Sequence, residues 1–456
     1  MRKNKILLLV ALICSLSASA QLLTQSPYSR YGLGEQYFQG FSDQVALGST
    51  GLAQRHSLNM NILNPASYSA LRMTNFRLGA TSFITQLQQG NQSITTNSAG
   101  LRYLTLAFQL NKKKDWGLAF GALPYSGKGY TIQYTTDSSF GSITNSLSGS
   151  GDLTRFFLGT GKELGDHISV GVQASYIFGK LSDRRSFAFP SGSPYLNYRE
   201  SATDYIGGFM LEGGLQAYFP GRIVRKDSIE NADLTKSLRR DTTYLKHSFG
   251  LYYQLSTSMN ITRELFSRTY LEANGREYIK DTIQLVDDLK GNISLPSSIG
   301  FGYQLEQASG KWRINLDYRY NLNSLYKNSF SAEALNDYHQ VSFGYGFRPS
   351  TKFYDDKVNF LKKTEYRIGA RYSTALLQIN NTDVPEYGIS FGLGIPLRTR
   401  TVTEEFKYQT VFSSLNVSVE YVQRGTLQNN LVQENYWRFV FGVSLNDKWF
   451  NKRKID

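Results

Sequence analysis

Lys311 to Asn321 reads Lys-Trp-Arg-Ile-Asn-Leu-Asp-Tyr-Arg-Tyr-Asn. Trp312, Ile314, Leu316, Tyr318 and Tyr320 are apolar or aromatic; Arg313, Asn315, Asp317, Arg319 and Asn321 between them are polar or charged. A period of two predicts an extended strand, because successive side chains point to opposite faces. A soluble sheet would turn the apolar face to a core, whereas a membrane barrel turns it to lipid and the polar face to its lumen. Such a strand, rising about 3.3 Å per residue and tilted about 40°, covers roughly 27 Å along the membrane normal, a thin bilayer's hydrocarbon depth.

The pattern recurs from Phe76 onward. Apolar faces run through Leu104–Leu110, Trp116–Ala122, Ile168–Phe178, Phe209–Phe219, Phe249–Leu255 and Ile299–Leu305 before the Trp312 strand. Val341–Phe347, Tyr366–Tyr372, Ile389–Leu393, Leu415–Tyr421 and Trp437–Leu445 follow it. With less regular segments near 76–86 and 153–162, the reading is all-β, a transmembrane antiparallel barrel of about fourteen strands. An even number suits a barrel with both ends in the periplasm. Tight inner turns are expected at 111–115, 162–166 and 306–310. Polar outer loops are expected near 88–98, 124–151, 180–203, 260–296, 322–338, 380–386 and 424–435. The alternating run 266–272 is assigned to an extended outer hairpin. Trp116, Trp312 and Trp437 sit at strand ends on the apolar face, as in an aromatic girdle, and Trp449 lies just past the last strand.

The N-terminal region reads differently. Met1–Ala20 has a basic start (Arg2, Lys3, Lys5), an apolar run Ile6–Leu16 and the small-residue cleavage site Ala18-Ser19-Ala20, and is expected to be a secretory signal. Residues 21–75 do not alternate cleanly; small residues that allow close packing, and the turn or helix-start signal Asn64-Pro65, suggest a separate irregular segment before the barrel. The barrel is expected over 76–447 and a periplasmic tail over 448–456.

Composition narrows the class. There are 31 Tyr, 28 Phe and 40 Gly against 10 Pro, as suits an aromatic-rich barrel. The one cysteine, Cys14, lies in the signal, so the mature chain can form no disulfide, thiolate metal site or thiol nucleophile. The formal net charge is +14, less the three basic residues lost with the signal, which suggests anionic lipid headgroups and lipopolysaccharide as neighbours rather than nucleic acid. No other segment is apolar enough for a transmembrane helix.

An apolar face turned to lipid leaves Arg313, Asp317, Arg319, Arg367, Arg371, Glu420 and Arg438 in the lumen. Two readings stand: an internal salt-bridge network, or arginines that grip an anionic ligand headgroup through their planar fork. Strand 116–123 presents Gly117, Ala119, Gly121 and Leu123 inward and runs into Pro124. Pro124 removes a ladder donor, so either the wall opens sideways here or the strand ends at the outer rim. His56, His167, His247 and His339 show no metal-ligand spacing, and no nucleophile elbow, phosphate loop or zinc signature is present; no enzyme, metal or cofactor is expected.

The run Ala46-Leu-Gly-Ser-Thr-Gly-Leu-Ala53, followed by Asn64-Pro65-Ala66, resembles the N-terminus of the FadL/TodX family of outer-membrane transporters, with Leu47 and Ser49 as mild departures. Strand 116–124, ending Ala-Leu-Pro-Tyr, resembles that family's third strand. The resemblance implies a fourteen-stranded outer-membrane barrel of a Gram-negative cell, plugged by a hatch that holds Gly48, Gly51, Asn64 and Pro65. A lateral gap would lie near Gly117, Gly121, Leu123 and Pro124. The implied function is passive uptake of a hydrophobic, fatty acid-like compound through lumen and gap. The alternative is a non-transporting barrel subunit of a protein secretion or assembly complex, with other outer-membrane proteins as partners.

Overall fold

A computed structural model of the chain describes residues 23–111, 115–139, 141–190, 192–230, 236–352, 357–402 and 408–447. The expected signal sequence and C-terminal tail lie outside the described residues, as does Trp449.

Among the described residues sixteen long strands follow one another. They are β1 (Thr74–Gln89), β2 (Gln92–Asn111), β3 (Trp116–Ser138), β4 (Gly141–Leu164), β5 (Ile168–Ala188), β6 (Asn197–Glu230), β7 (Lys236–Gln254) and β8 (Thr257–Ala273). The rest are β9 (Arg276–Leu295), β10 (Ser298–Gln307), β11 (Trp312–Asn321), β12 (Tyr338–Phe347), β13 (Glu365–Ser373), β14 (Glu386–Val402), β15 (Tyr408–Arg424) and β16 (Gln433–Asp447). All but β8 and β9 form a closed antiparallel wall of 14 strands: β7 pairs directly with β10, and β16 returns to β1 from Thr74↔Asp447 to Gln88↔Gln433. Closure removes free edges from the bilayer, where an unpaired backbone group has no water to bond.

The alternation read from sequence is the alternation of exposure. On β11, Leu316 and Tyr318 are exposed while Arg313, Asn315 and Asp317 are buried. On β16, Trp437, Phe441 and Leu445 are exposed while Arg438, Val440 and Ser444 are buried. An exposed apolar belt around a polar interior is the inverted pattern of a barrel in lipid. Trp116, at the start of β3, and Trp437, four residues into β16, are 40% and 47% exposed on that belt.

Of the expected outer loops, 88–98, 124–151, 180–203 and 260–296 are mostly strand, whereas 322–338, 380–386 and 424–435 are mostly irregular. β3 and β4 stay paired up to Ser138↔Gly141, β5 and β6 up to Phe187↔Tyr198, and β8 extends the wall by pairing Asn197–Gly207 of β6. The expected outer hairpin is β8–β9, joined at Asn274-Gly275 with both residues at positive φ. The 17 residues of β8 rise roughly 55 Å along the strand. Segments 124–151 and 180–203 read as loops because they are polar on both faces, and a sheet with water on both sides loses the apolar-polar alternation. Pro124 likewise does not end its strand, which runs on to Ser138. The result is lopsided: β3–β6, β8 and β9 stand far above the ends of β10–β16.

Phe441 lies at mid-strand on the lipid face, opposite Val417 and Ala80. Phe441→Arg should destabilise the barrel by about 2–4 kcal/mol, read from urea unfolding in lipid vesicles.

Candidate functional site

Residues 23–73 thread the lumen. Ser42–Val45 forms a short helix, α1, and Pro65–Ala70 a 3-10 turn with Pro65 in its first positions. Asn64 caps that turn: its side-chain oxygen accepts from Ala66 N at 3.1 Å. Its amide donates to Leu52 O at 2.9 Å, Leu251 O of β7 at 3.2 Å and Leu215 O of β6 at 3.3 Å. One buried side chain thus ties two parts of the N-terminal segment to two wall strands.

The wall receives this segment backbone against backbone. A Cβ at Gly369 of β13 would overlap the backbone of Leu47 and Gly48, and one at Gly250 of β7 would overlap Leu52. Gly48, at φ +66°, itself lies against the carbonyls of Phe343 and Ala370 and donates its N–H to Ser390 Oγ at 3.0 Å. Phe41, Met60, Ile62, Tyr68 and Leu71 pack onto Tyr103, Ala107, Ala119, Leu123 and Phe157 of the wall in one buried core.

The candidate lumen residues divide by partner. Asp317 of β11 accepts Gly51 N at 2.7 Å and Leu52 N at 2.9 Å on one carboxylate oxygen. Glu365 is gripped by Arg313 at 2.5 Å, Arg348 at 2.7 Å and Arg367 at 3.0 Å. Arg371 bridges Glu420, at 2.7 Å, to Glu386; Arg438 pairs with Glu420. Arg424 extends the chain to Glu386 at 2.7 Å and to Glu35 of the N-terminal segment at 2.9 Å. Arg319 differs: its Nε and one terminal nitrogen are buried without a hydrogen-bond partner among the described residues, and its guanidinium lies 5.9 Å from the Phe38 ring. It faces a cavity of about 280 Å³ above the α1 region, lined also by Tyr28, Tyr31, Tyr125, Tyr252 and Tyr326.

Further anchors carried no period-two or motif signal. Arg77 of β1 pairs with Asp43 of α1, both buried, and donates to Met60 O at 2.9 Å. Arg55 pairs with Glu163 of β4 at 2.8 Å. Burial disfavours the Asp43 carboxylate, but Arg77 beside it outweighs this and holds its pKa below the usual range. His56 accepts Leu58 N at 3.0 Å on Nδ1, which requires neutral imidazole there. Desolvation, with Arg313 and Arg348 nearby, pushes its pKa down to about 4.

The seam between β2 and β3 is half closed. Pairing runs from Asn111↔Trp116 up to Leu104↔Ala122 and stops. Gly117 and Gly121 therefore lie in the paired part, opposite Gln109 and Thr105; Gly117 makes room for the Tyr68 carbonyl. Leu123 and Pro124 lie just above the point of separation, and the β3–β4 register shifts between Pro124 and Ser126. The N-terminal segment fills the opening. Glu35–Gln36 pairs with Gly127–Ser126, Tyr37 N donates to Tyr125 O at 3.0 Å, and Gln39 Nε2 reaches Pro124 O at 3.1 Å. Opposite, Arg102 of β2 donates to Phe38 O at 2.7 Å and Ser98 Oγ to Leu23 O at 3.0 Å.

Asp317→Ala should leave the barrel folded but cost about 1–3 kcal/mol for each of the two stranded N–H groups. It should also raise single-channel conductance and the trypsin sensitivity of residues 41–71; Asp317→Asn, which keeps an acceptor oxygen, should do less. Gly369→Ala should loosen the same segment, with no change at the lipid face.

Solved structures of similar fold include a hydrocarbon channel and a toluene transporter. The toluene transporter TodX of P. putida aligns at TM-score 0.53 and 14% identity, over 92% of this chain and 100% of that one. A FadL homologue from Pseudomonas aeruginosa aligns at 0.53 and 10%, over 90% and 98%. The CymD monoaromatic hydrocarbon channel aligns at 0.52 and 12%, over 90% and 98%. At such identities the likeness is one of fold, that of an outer-membrane β-barrel. No curated protein matches the chain. A family model described as BamG matches residues 1–456, the whole sequence, and the chain therefore belongs to the BamG family.

Proposed function

We propose that this barrel is a non-transporting subunit of an outer-membrane protein assembly or secretion complex. The observation that carries the reading is the filled lumen. Residues 41–71 are pressed onto wall glycines, their backbone is held by Asp317 and Asn64, and buried ion pairs tie them to β1 and β4. Opening a conduit would strip partners from buried charges, at about 3–5 kcal/mol for each broken pair. Membership of the BamG family is compatible with this reading, and the tall extracellular wall offers area for contacts.

The half-closed β2–β3 seam favours a second reading, passive uptake of a hydrophobic compound. The aromatic cavity would hold the apolar body and Arg319 an anionic end, with exit above Ala122 once Tyr37–Gln39 withdraws. The folds it resembles include proteins named as hydrocarbon channels and a toluene transporter.

Purification of the full chain from native outer membrane in mild detergent separates the two. Stoichiometric protein partners, with no lipid or hydrocarbon held in the lumen, are expected. A solitary barrel that releases a bound hydrophobic molecule, and loses it on Arg319→Ala, would instead establish uptake.

A further inference from the structure

The extracellular wall has two side edges, and the sequence treats them differently. One is β9. Above Ile293, which pairs with Asn328, no strand among the described residues covers its outer side. This edge is guarded. Its pairing with β8 is broken by register shifts at Ile279/Asp281, Thr282/Gln284 and Val286/Leu289. It also carries Arg276, Glu277, Lys280, Asp281, Asp287, Asp288 and Lys290. Bulges and charges are the usual means of keeping a free edge from pairing with another chain.

The other edge is β3 above the N-terminal segment, and it has neither protection. Its register against β4 is unbroken from Ser126↔Leu153 to Ser138↔Gly141. Thr131-Ile-Gln-Tyr-Thr-Thr136 contains no charge, proline or glycine and consists almost wholly of strong strand formers. All of it but Ile132 is exposed, Tyr134 by 49%. Below it the same edge already accepts strand addition. Glu35–Gln36 pairs antiparallel with Gly127–Ser126, and Gly129 N donates to Ser29 Oγ at 3.0 Å. From Thr131 upward no strand among the described residues pairs with this edge. The far side of the seam is the upper part of β2, whose Gln92–Asn97 is likewise uncharged and, among the described residues, pairs only with β1.

We propose that Thr131–Asp137 is a β-addition site that takes an extended, low-charge segment of a partner protein, antiparallel to β3, outside the hydrocarbon layer. A row of free N–H and C=O groups is matched only by another extended backbone, which commits the occupant to polypeptide. β2 across the seam commits it to a lone strand, since the edge of a second copy would bring its whole wall against β2. The site deepens the complex-subunit reading and rests on it.

The test compares full-length chain in native outer-membrane vesicles with the same chain purified alone. In the vesicles, about half the Thr131–Asp137 amides, those not bonded to β4, should exchange hydrogen at least about tenfold more slowly than in the isolated barrel. In a Cys14→Ser background, Tyr134→Cys should react with a maleimide at least about fivefold more slowly in vesicles, while Ile279→Cys on β9 reacts equally in both. Ile132→Lys with Thr136→Lys should abolish the protection and leave the heat-modifiable gel mobility of the folded barrel unchanged. Should that variant misfold, the wild-type exchange comparison decides alone. Equal exchange in the two settings, in vesicles where stoichiometric partners are present, overturns this site and leaves the subunit reading standing. Absence of any stoichiometric partner overturns both. A disulfide that joins two copies of the Tyr134→Cys variant overturns the assignment to a partner protein.

Discussion

A chain in a bilayer has to satisfy its own backbone N–H and C=O groups, and most of this architecture follows from that constraint. It dictates the closure of β16 onto β1 over the full height of both strands. It also explains the parting of two wall strands. Where β3 parts from β2 above Ala122, the exposed edge is not left bare: Glu35–Tyr37 supplies a short strand from inside the barrel. Only beyond the reach of that segment, where water is available, is the edge left open.

The same constraint shapes the interior. An irregular segment can sit at membrane depth only if the wall supplies its bonding partners. Here the partners are few and well placed. One oxygen of Asp317 takes two consecutive N–H groups, and one amide of Asn64 spans Leu52, Leu215 and Leu251. Such contacts need the two backbones to come within van der Waals distance, which glycine at Gly250 and Gly369 permits and any larger residue would prevent. The charges that line the remaining lumen are used up almost completely among themselves. Three arginines converge on Glu365, and a chain of pairs runs from Arg438 through Glu420, Arg371, Glu386 and Arg424 to Glu35. Because that chain ends on the N-terminal segment, wall and filling are one electrostatic unit. Arg319 stands apart from it, beside the cavity lined by Tyr28, Tyr125 and Tyr252.

Above the membrane the rules change, and so does the design. β3–β6, β8 and β9 form a sheet whose lower inner face buries Leu181, Ile206, Met259, Ile261 and Ile293 against Leu33 and Tyr326, and whose upper part is built of serine, threonine, tyrosine and paired charges such as Arg199–Glu277 and Arg268–Glu277. A barrel fold similar to that of hydrocarbon channels is thus combined with a tightly packed N-terminal segment and a tall wall on one side only. This combination is what turns the proposed reading from conduction toward assembly, with the open half of the seam as the feature both readings have to explain.

Much was legible from residue order alone. Alternation along 311–321 and its repeats identified the barrel, its strand number, the lipid face and the hairpin above β7, because the side-chain period of a strand is a local property and a bilayer punishes the wrong face. The run Ala46–Ala53 with Asn64-Pro65 set the N-terminal segment apart from the strands. What failed were the outer loops expected at 124–151 and 180–203, where polarity on both faces erased the signal although the backbone stayed extended. Residue order also could not show which arginine meets which carboxylate: Arg438 and Glu420 are opposed only once β15 and β16 pair, and Arg77 meets Asp43 only when the N-terminal segment enters the barrel. The placing of Gly117 under the Tyr68 carbonyl, rather than at the opening above Ala122, depended likewise on contacts between residues far apart in the chain. Period and composition are written locally; register, pairing and the division between a closed and an open edge come into being only when distant strands meet.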